Sequence, residues 1–196
     1  HVLLMRAVRK HTSCKWVLLY IERWLQAPIQ QVDGSVRVRE KGTPQGGVIS
    51  PLLANLFLHY AFDKWMERHW PAIRFERYAD NIICHCRNEA QASRLYAMIA
   101  QRSVECGLEL HPEKSQIVYC KDVNRRRDHP VIRFDFLGYT FRPRKSTDRH
   151  GRYYVNFLPA VSDKAAKSMR QQIRRWAIHR RVTKSLDDIA RMFNPI

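Results

Sequence analysis

The sequence predicts an α+β fold, an antiparallel sheet backed by helices and followed by part of a second, α-helical domain. Three observations lead to this prediction. Apolar residues recur at helical spacing in several segments, short alternating segments flank turn residues, and the chain becomes strongly basic and helical after residue 159. We therefore expect a first domain over residues 1–158 and the beginning of a second over residues 159–196.

Composition points to a polyanionic partner. The chain has 196 residues, 45% of them hydrophobic, and carries 35 Lys and Arg against 18 Asp and Glu, a net charge of +17. Nucleic acid is the commonest partner of so basic a globular protein, and a membrane surface is the alternative. No apolar run approaches the roughly 20 residues of a spanning helix, and no segment resembles a signal peptide, so we expect no membrane partner. The oligomeric state stays open.

The first third of the chain predicts helices around a hairpin and a glycine-rich loop. Residues 4–26 are apolar at helical spacing and break near Thr12, which indicates two helices. The Asp33-Gly34 pair indicates a hairpin turn. After the loop at residues 42–47, Ser50 is expected to cap a helix over residues 51–68. One face of this helix is predicted to be apolar, through Leu52, Leu53, Leu56, Phe57, Tyr60, Ala61 and Met66.

The middle of the chain predicts strands and one further helix. Residues 74–86 indicate two strands joined by a tight turn at Ala79–Asn81. Asn88 and Gln91 form a capping-box pattern before a helix over residues 89–106. Residues 116–120 and 134–141 are predicted as strands, the second with Gly138 inside it, and a turn at residues 149–151 precedes another strand from Tyr153 to Phe157.

Five cysteines, odd in number and irregular in spacing, indicate a reducing compartment rather than a disulfide scaffold. We therefore expect a cytoplasmic protein, and separately we expect a bacterial source. Cys84 and Cys86 flank His85, which suggests zinc. Residues 82–86 look like a strand, however, so both thiols share one face, and structural zinc sites prefer wider cysteine spacing. A buried pair of thiols is the favoured interpretation.

The last segment predicts a basic helix capped by Ser162 and a second helix that begins at Ser185, with Asp188 three residues later. Residues 160–196 contain nine Lys or Arg against three Asp or Glu. Apolar residues should line the inner face of the first of these helices, namely Ala166, Met169, Ile173, Trp176 and Ala177.

The turn at Tyr78-Ala79-Asp80-Asn81 is the place where chemistry is expected. A carboxylate on a tight turn between strands is held rigidly and points away from the sheet. Nucleotidyl transfer requires such carboxylates, because two Mg²⁺ about 3.5–4 Å apart clamp the attacking and leaving oxygens. The plainer interpretation of an isolated Asp-Asn pair is an Asx turn.

Four motifs in order resemble the palm of group II intron reverse transcriptases, also called maturases. The loop and helix Gly42–Asn55 look like the motif before the catalytic turn of that family, and Arg77–Asn81 resembles its Tyr-Ala-Asp-Asp turn. Gly107–Ser115 looks like the motif that follows the turn, and Phe136–Phe141 is similar to the primer grip. Residues 162–195 resemble the start of the thumb, or maturase, domain. The resemblance therefore covers essentially the whole chain and implies a reverse-transcriptase palm followed by part of a helical thumb.

The resemblance implies roles for individual residues. Asp80 would be a ligand of Mg²⁺, with Asn81 beside it, and Lys114 would lie near the triphosphate and stabilise the leaving pyrophosphate. The plainer interpretations are a surface lysine for Lys114 and a core strand for the primer grip. The nucleotide- and template-binding residues would be Pro44, Gln45, Gly46, Gly47, Tyr78 and Ala79, and the primer grip would be Leu137, Gly138 and Tyr139.

Two departures from the family pattern are visible. The turn of the family ends in two aspartates, whereas this chain has Asn81, whose neutral oxygen should lower metal affinity. The first catalytic aspartate of the family belongs to a strand before the helix that opens this chain, so we expect only Asp80 of three carboxylates. The sequence also stops inside the segment that resembles the maturase domain.

Three hypotheses follow for function. The first is an RNA-directed DNA polymerase of a group II intron, which binds intron RNA, an RNA template, an RNA–DNA hybrid and deoxynucleoside triphosphates, but is catalytically impaired. The second is a non-catalytic, maturase-like RNA-binding module. The third, disfavoured by the motif order, is a DNA-binding protein with a helix-turn-helix. A basic face is often merely solvated, but here we expect RNA contacts at Lys164, Lys167, Arg174 and Arg175.

Overall fold

The computed structural model describes residues 1–43 and 46–194. It contains helices and small antiparallel sheets, which confirms the predicted α+β class. Contacts divide the chain into two compact units, residues 1–117 and 118–196. This division does not test the domain boundary expected near residue 159, which stays a prediction.

The first unit begins with two helices and a short hairpin. Helices α1 (Val2–Val8) and α2 (Lys15–Gln26) are separate, as predicted, and strands β1 (Ile29–Gln30) and β2 (Val36–Arg37) pair around the Asp33-Gly34 turn. Gly34 has φ +83°, a conformation that glycine adopts without strain. The two helices pack on the next one through a buried cluster of Leu4, Met5, Val8, Ile21, Leu25 and Leu53.

The helix predicted over residues 51–68 has an unpredicted interruption. It consists of α3 (Ser50–Leu58), a π-helical turn (His59–Asp63) and α4 (Lys64–His69). The prediction that Ser50 caps this helix is wrong, because Ser50 is its first residue and Ile49 is the N-cap. The wider turn shifts the helical register of the residues that follow, and Phe62, which was not predicted to be buried, is only 5% exposed. The predicted apolar face is also wrong before the turn, at Leu52, which is 66% exposed.

The predicted hairpin follows, with β3 (Arg74–Tyr78) paired in antiparallel fashion to β4 (Asn81–His85). Helix α5 (Glu89–Glu105) begins at Asn88, whose side chain accepts a hydrogen bond from the Gln91 amide. A second core joins hairpin and helices through Phe62, Met66, Ile73 and Leu95, and Cys84 and Cys86 pack against it. Both thiols lie on the core side of β4, as predicted, but they are half-buried rather than buried. Burial, with smaller effects of Cys86 and Glu76, raises the pKa of Cys84 to about 12.

The strand predicted at residues 116–120 is wrong, because the backbone there forms no ladder. Its amide groups find scattered partners instead, such as the Tyr119 amide that donates to the Val131 carbonyl at 2.9 Å. Alternating apolar residues alone do not make a strand when no partner edge is supplied.

The second unit contains a three-stranded antiparallel sheet in the order β5 (Phe134–Phe136), β6 (Tyr139–Thr147), β7 (Tyr153–Val161). The single strand predicted over residues 134–141 is therefore wrong: the chain reverses at Leu137-Gly138. Both residues have positive φ, +49° and +84°, which is the pattern of a two-residue hairpin turn. The predicted turn at residues 149–151 is confirmed between β6 and β7.

Helices α6 (Asp163–Trp176) and α7 (Leu186–Phe193) follow a Ser162 cap and a Ser185–Asp188 capping box, both as predicted. The predicted inner face of α6 is wrong as a buried face, because Met169 and Ile173 are 56% and 53% exposed. Within the described part of the unit, the end of this face is packed, because the ring of Trp176 stacks with that of Phe193 at 4.7 Å. The middle of the face, at Met169 and Ile173, stays exposed. Among the described residues, no helix combines the length and apolarity needed to cross a bilayer.

Candidate active site

The predicted catalytic turn is a two-residue reversal between β3 and β4. Tyr78 and Asn81 are the last paired residues of the ladder, and Ala79 and Asp80 form the turn. Tyr78 is 63% exposed, and Asp80 is exposed at the tip. The structure therefore holds four of the predicted site residues together and presents the carboxylate to solvent.

Ala79 adopts a left-handed conformation with φ +52°. This conformation is disfavoured for a residue with a Cβ atom and costs about 1–3 kcal/mol, so surrounding contacts must stabilise it. The carbonyl oxygen of Ala79 accepts a hydrogen bond from Nη1 of Arg77 at 3.0 Å. Arg77 thus holds the backbone of the turn from the adjacent strand.

Arg77 connects the turn to the preceding helix. Its Nε and Nη2 donate to the two carboxylate oxygens of Asp63, each at 2.7 Å, and its Nη1 also donates to Oδ1 of Asn55 at 2.9 Å. The side chains of Arg77 and Asp63 are only 12% and 16% exposed. We refer to Arg77, Asp63, Asn55 and the Ala79 carbonyl as the Arg77 clamp.

Asp63 is a charged member of this clamp. Burial tends to raise the pKa of its carboxyl group. The hydrogen bonds and positive charge of Arg77, together with His59, outweigh burial, so that the pKa of Asp63 lies below its ordinary value. Asp63 therefore remains ionised at neutral pH and keeps the two-point contact with the guanidinium.

The carboxylate of Asp80 has one weak hydrogen-bond partner in the described structure: the side-chain amide nitrogen of Asn81 lies 3.4 Å from its Oδ1. A metal could replace that contact at little cost. A centre with two Mg²⁺ needs more than one carboxylate, however, and the described residues contain no group of three or more His, Cys, Asp or Glu placed to hold a metal ion. The turn by itself fits one ligand of such a centre and not the complete centre.

The glycine-rich loop meets the clamp through the helix that follows it. Pro44 and Gln45 lie outside the described residues. Gly46 has φ +81°, and the carbonyl oxygen of Gly47 accepts a hydrogen bond from the Ser50 amide at 3.1 Å. Asn55, on the same helix, is bound by Arg77, so the two regions that carry the resemblance are joined by one side chain.

Lys114 lies on an exposed turn after α5. The Ser115 amide donates to the His111 carbonyl at 2.9 Å and closes this turn, and the Tyr96 hydroxyl lies 3.4 Å from the Ser115 carbonyl. Among the described residues no hydrogen bond or ion pair joins Lys114 to Asp80. The turn leaves the ammonium group of Lys114 accessible to an anion.

Leu137, Gly138 and Tyr139 lie at the β5–β6 turn of the second unit. Leu137 and Tyr139 are 52% and 50% exposed. The Gly138 carbonyl accepts a hydrogen bond from the Ser162 amide at 2.9 Å, next to the start of α6. The predicted primer grip is therefore a turn tied to a helix cap, with two exposed apolar side chains beside it.

The four basic residues proposed for RNA contact lie on α6 and are exposed. At about 100° per residue, Lys164, Lys167, Arg174 and Arg175 fall within an arc of about 100°, on the side opposite to the apolar residues. These four basic residues therefore lie on one face of the helix.

The Arg77 clamp was not predicted from the sequence. The signal was present, because alternation in β3 places Arg77 on the same face as Phe75, which packs against the core. A guanidinium on a core-facing position requires an acidic partner. The π-helical turn that brings Asp63 into place has no comparable sequence signal.

Comparison with known proteins agrees with this geometry. The profile of the family described as reverse transcriptase (RNA-dependent DNA polymerase) matches residues 1–141. A segment of 70 residues is 39% identical to Protein YkfC of Escherichia coli (strain K12) and covers 36% of this chain and 18% of that protein. The family match includes the glycine-rich loop, the turn at Asp80, Lys114 and the β5–β6 turn.

Proposed function

Because this chain belongs to the reverse transcriptase (RNA-dependent DNA polymerase) family, we propose that it is the palm and the start of the thumb of a group II intron reverse transcriptase, with a role in binding intron RNA. The observation that carries the proposal is the turn itself: an exposed Asp80 on a two-residue hairpin turn, which the Arg77 clamp joins to the helix after the glycine-rich loop. The four ordered motifs support the intron-encoded type.

In this proposal Asp80 supplies one metal ligand, and Gly46 and Gly47 let the backbone approach a base pair without a Cβ atom in the way. Mg²⁺, when bound, would supply charge stabilisation to the attacking and leaving oxygens. Lys114 would stabilise the pyrophosphate, Tyr78 and Ala79 would border the nucleotide, and Leu137, Gly138 and Tyr139 would hold the primer end. Asn81 contributes no charge, so the chain alone is catalytically impaired.

The second candidate function is a non-catalytic RNA-binding module related to maturases. One observation favours it for this polypeptide: Asp80 is the sole carboxylate on the described turn, next to an amide. Both candidates require RNA binding, and they differ in polymerisation. RNA binding is therefore the property to test first.

The test is a salt titration of binding to a structured intron RNA. Binding through phosphates releases counterions, so six contacts with a duplex would weaken affinity roughly a thousandfold between 50 and 200 mM salt. Replacing Lys164, Lys167, Arg174 and Arg175 with Gln should make the log–log slope shallower by up to about four, because each residue removes one potential phosphate contact.

The matched control replaces four exposed basic residues of the first unit with Gln: Arg9, Lys15, Arg23 and Arg87. It removes the same charge away from α6. Equal slopes for the two variants would contradict a specific role for α6. Binding that does not depend on salt in any of the proteins would contradict RNA recognition through phosphates altogether.

A further inference from the structure

The first unit has an open groove of about 890 Å³ formed by α1, the segment from α3 to α4, and the end of α5. Its lining includes the buried residues Ala7, Ala61 and Cys106 and the half-buried aromatic rings of Tyr60 and Trp65. None of its lining residues belongs to the glycine-rich loop, the Asp80 turn or the turn of Lys114. It is therefore a surface separate from the candidate active site.

The groove is positively charged. Five Lys or Arg side chains and two Glu side chains line it, an excess of three positive charges. Lys64 pairs with Glu67 at 2.8 Å, and Arg102 lies 3.2 Å from Glu105. The remaining cations have no carboxylate partner in the part of the chain that the structure describes; they are Arg6, Lys10 and Arg68.

An aromatic ring lies beside one of these three cations, and a second ring lines the groove. The Lys10 ammonium is 4.6 Å from the ring centroid of Tyr60, whose hydroxyl is hydrogen-bonded to Nε2 of His11 at 2.9 Å. The ring of Trp65 stacks with that of His69 at 5.5 Å. Both Tyr60 and Trp65 are held in place and remain half-buried at the groove wall.

Free cations interleaved with ordered aromatic rings are the chemistry that binds single-stranded nucleic acid, because phosphates pair with the cations while bases lie against the rings. An open groove also lets a strand enter at one end and leave at the other, which a closed cavity would not allow. An acidic protein surface would satisfy the charges but would not require the rings.

We propose that this groove binds a single-stranded segment of RNA, with phosphates at Arg6, Lys10 and Arg68 and a base beside Trp65. The proposal rests on the proposed function, since it takes RNA as the partner, and it adds a second RNA contact surface on the palm. It leaves the Asp80 turn and the basic face of α6 free for other contacts.

The first experiment measures lysine protection in the unmodified chain. An amine-acetylating reagent is applied with and without a saturating single-stranded RNA oligonucleotide, and acetylation is quantified by mass spectrometry. Lys10 and Lys64 should become several-fold less reactive, whereas Lys15, which lies outside the groove, should not change. Equal protection of all three lysines, or none at Lys10, would overturn the proposal. Equal protection of Lys10 by poly-glutamate or by DNA of the same sequence would overturn the assignment to RNA.

The second experiment compares the Arg6→Gln, Lys10→Gln, Arg68→Gln triple variant with a Lys15→Gln, Arg23→Gln, Arg87→Gln control. The groove variant should bind the RNA oligonucleotide with a salt slope shallower by about two, because each contact with a single-stranded phosphate contributes about 0.7, and the control with a nearly unchanged slope. Identical slopes for the two variants, with RNA still bound, would overturn the groove alone. Failure of the unmodified chain to bind any RNA would overturn the proposed function and the groove together.

Discussion

Removing the guanidinium of Arg77 should destabilise the first unit more than breaking an exposed ion pair such as Lys64–Glu67. The Arg77→Met variant keeps a side chain of similar length but removes four hydrogen bonds, two to Asp63 and one each to Asn55 and the Ala79 carbonyl. Asp63 is then left ionised, with only His59 beside it. The left-handed Ala79 also loses the contact that stabilises it.

The expected magnitude follows from burial. Removing one partner of a fully buried ion pair costs about 3–5 kcal/mol. Arg77 and Asp63 keep 12% and 16% exposure, which reduces the cost of the pair to about 2–3 kcal/mol by residual solvation. The two hydrogen bonds from Arg77 to the uncharged, exposed acceptors of Asn55 and Ala79 add about 1 kcal/mol together, so the total is about 3–4 kcal/mol.

Urea unfolding at pH 7, followed by circular dichroism, measures this change. The midpoint should fall with an unchanged slope, which means lost stability rather than a changed unfolded state. Arg77→Lys should lie between the two proteins, since an ammonium keeps the charge but not the two-point geometry. The control is Glu67→Gln, which breaks the exposed Lys64–Glu67 pair and should change stability little. If Arg77→Met unfolds at the same urea concentration as the unmodified chain, the clamp does not hold the turn.

Three further predictions follow from the same contacts. Arg77 and His59 outweigh burial and lower the pKa of Asp63, so the stability that its ion pair contributes is present above about pH 4 and is lost as the pH falls through this lowered pKa. The difference in urea midpoint between the unmodified chain and Asp63→Asn should therefore shrink as the pH drops below the pKa of Asp63. Gly138→Ala should lower the free energy of unfolding by about 1–2 kcal/mol through its φ of +84° alone, because the added Cβ would meet Ala165 at an ordinary 3.8 Å; a larger loss would point to a clash instead. Asn81→Asp should bind Mn²⁺ more tightly, by electron paramagnetic resonance, since a second carboxylate joins Asp80, and unchanged binding would argue against a metal site at this turn.

Most of the fold is predictable from local patterns, and the exceptions have identifiable causes. Caps at Asn88, Ser162 and Ser185 and the turns at Gly34 and Gly151 are local chemistry, and the structure contains them as predicted. The reversal at Leu137-Gly138 was missed because Leu-Gly is not a typical two-residue hairpin sequence.

The π-helical turn at His59–Asp63 was missed for a different reason. The extra residue in this turn shifts the register of the residues that follow it, and the apolar periodicity of the sequence does not reveal such a shift. The exposed middle of α6 likewise depends on what packs against it, which is a property of the assembled protein and not of the 3.6-residue period.

The site is predictable where it is local and unpredictable where it depends on distant residues. The turn from Tyr78 to Asn81 is a motif of four consecutive residues, and the structure presents it as a hairpin tip, as predicted. The clamp joins Asn55, Asp63 and Arg77, which lie up to 22 residues apart in sequence. Only the inward position of Arg77 in β3 indicated that such a partner existed.

Primer extension tests the central claim, a reverse transcriptase turn with too few carboxylates, most directly. An RNA template with an annealed DNA primer is incubated with deoxynucleoside triphosphates and Mg²⁺ or Mn²⁺, using the unmodified chain and Asp80→Ala. We predict background extension by both proteins, because one carboxylate beside an amide does not hold two metal ions. Clear extension by the unmodified chain that is lost in Asp80→Ala would contradict this account, since it would show that the turn with Asn81 is catalytically sufficient.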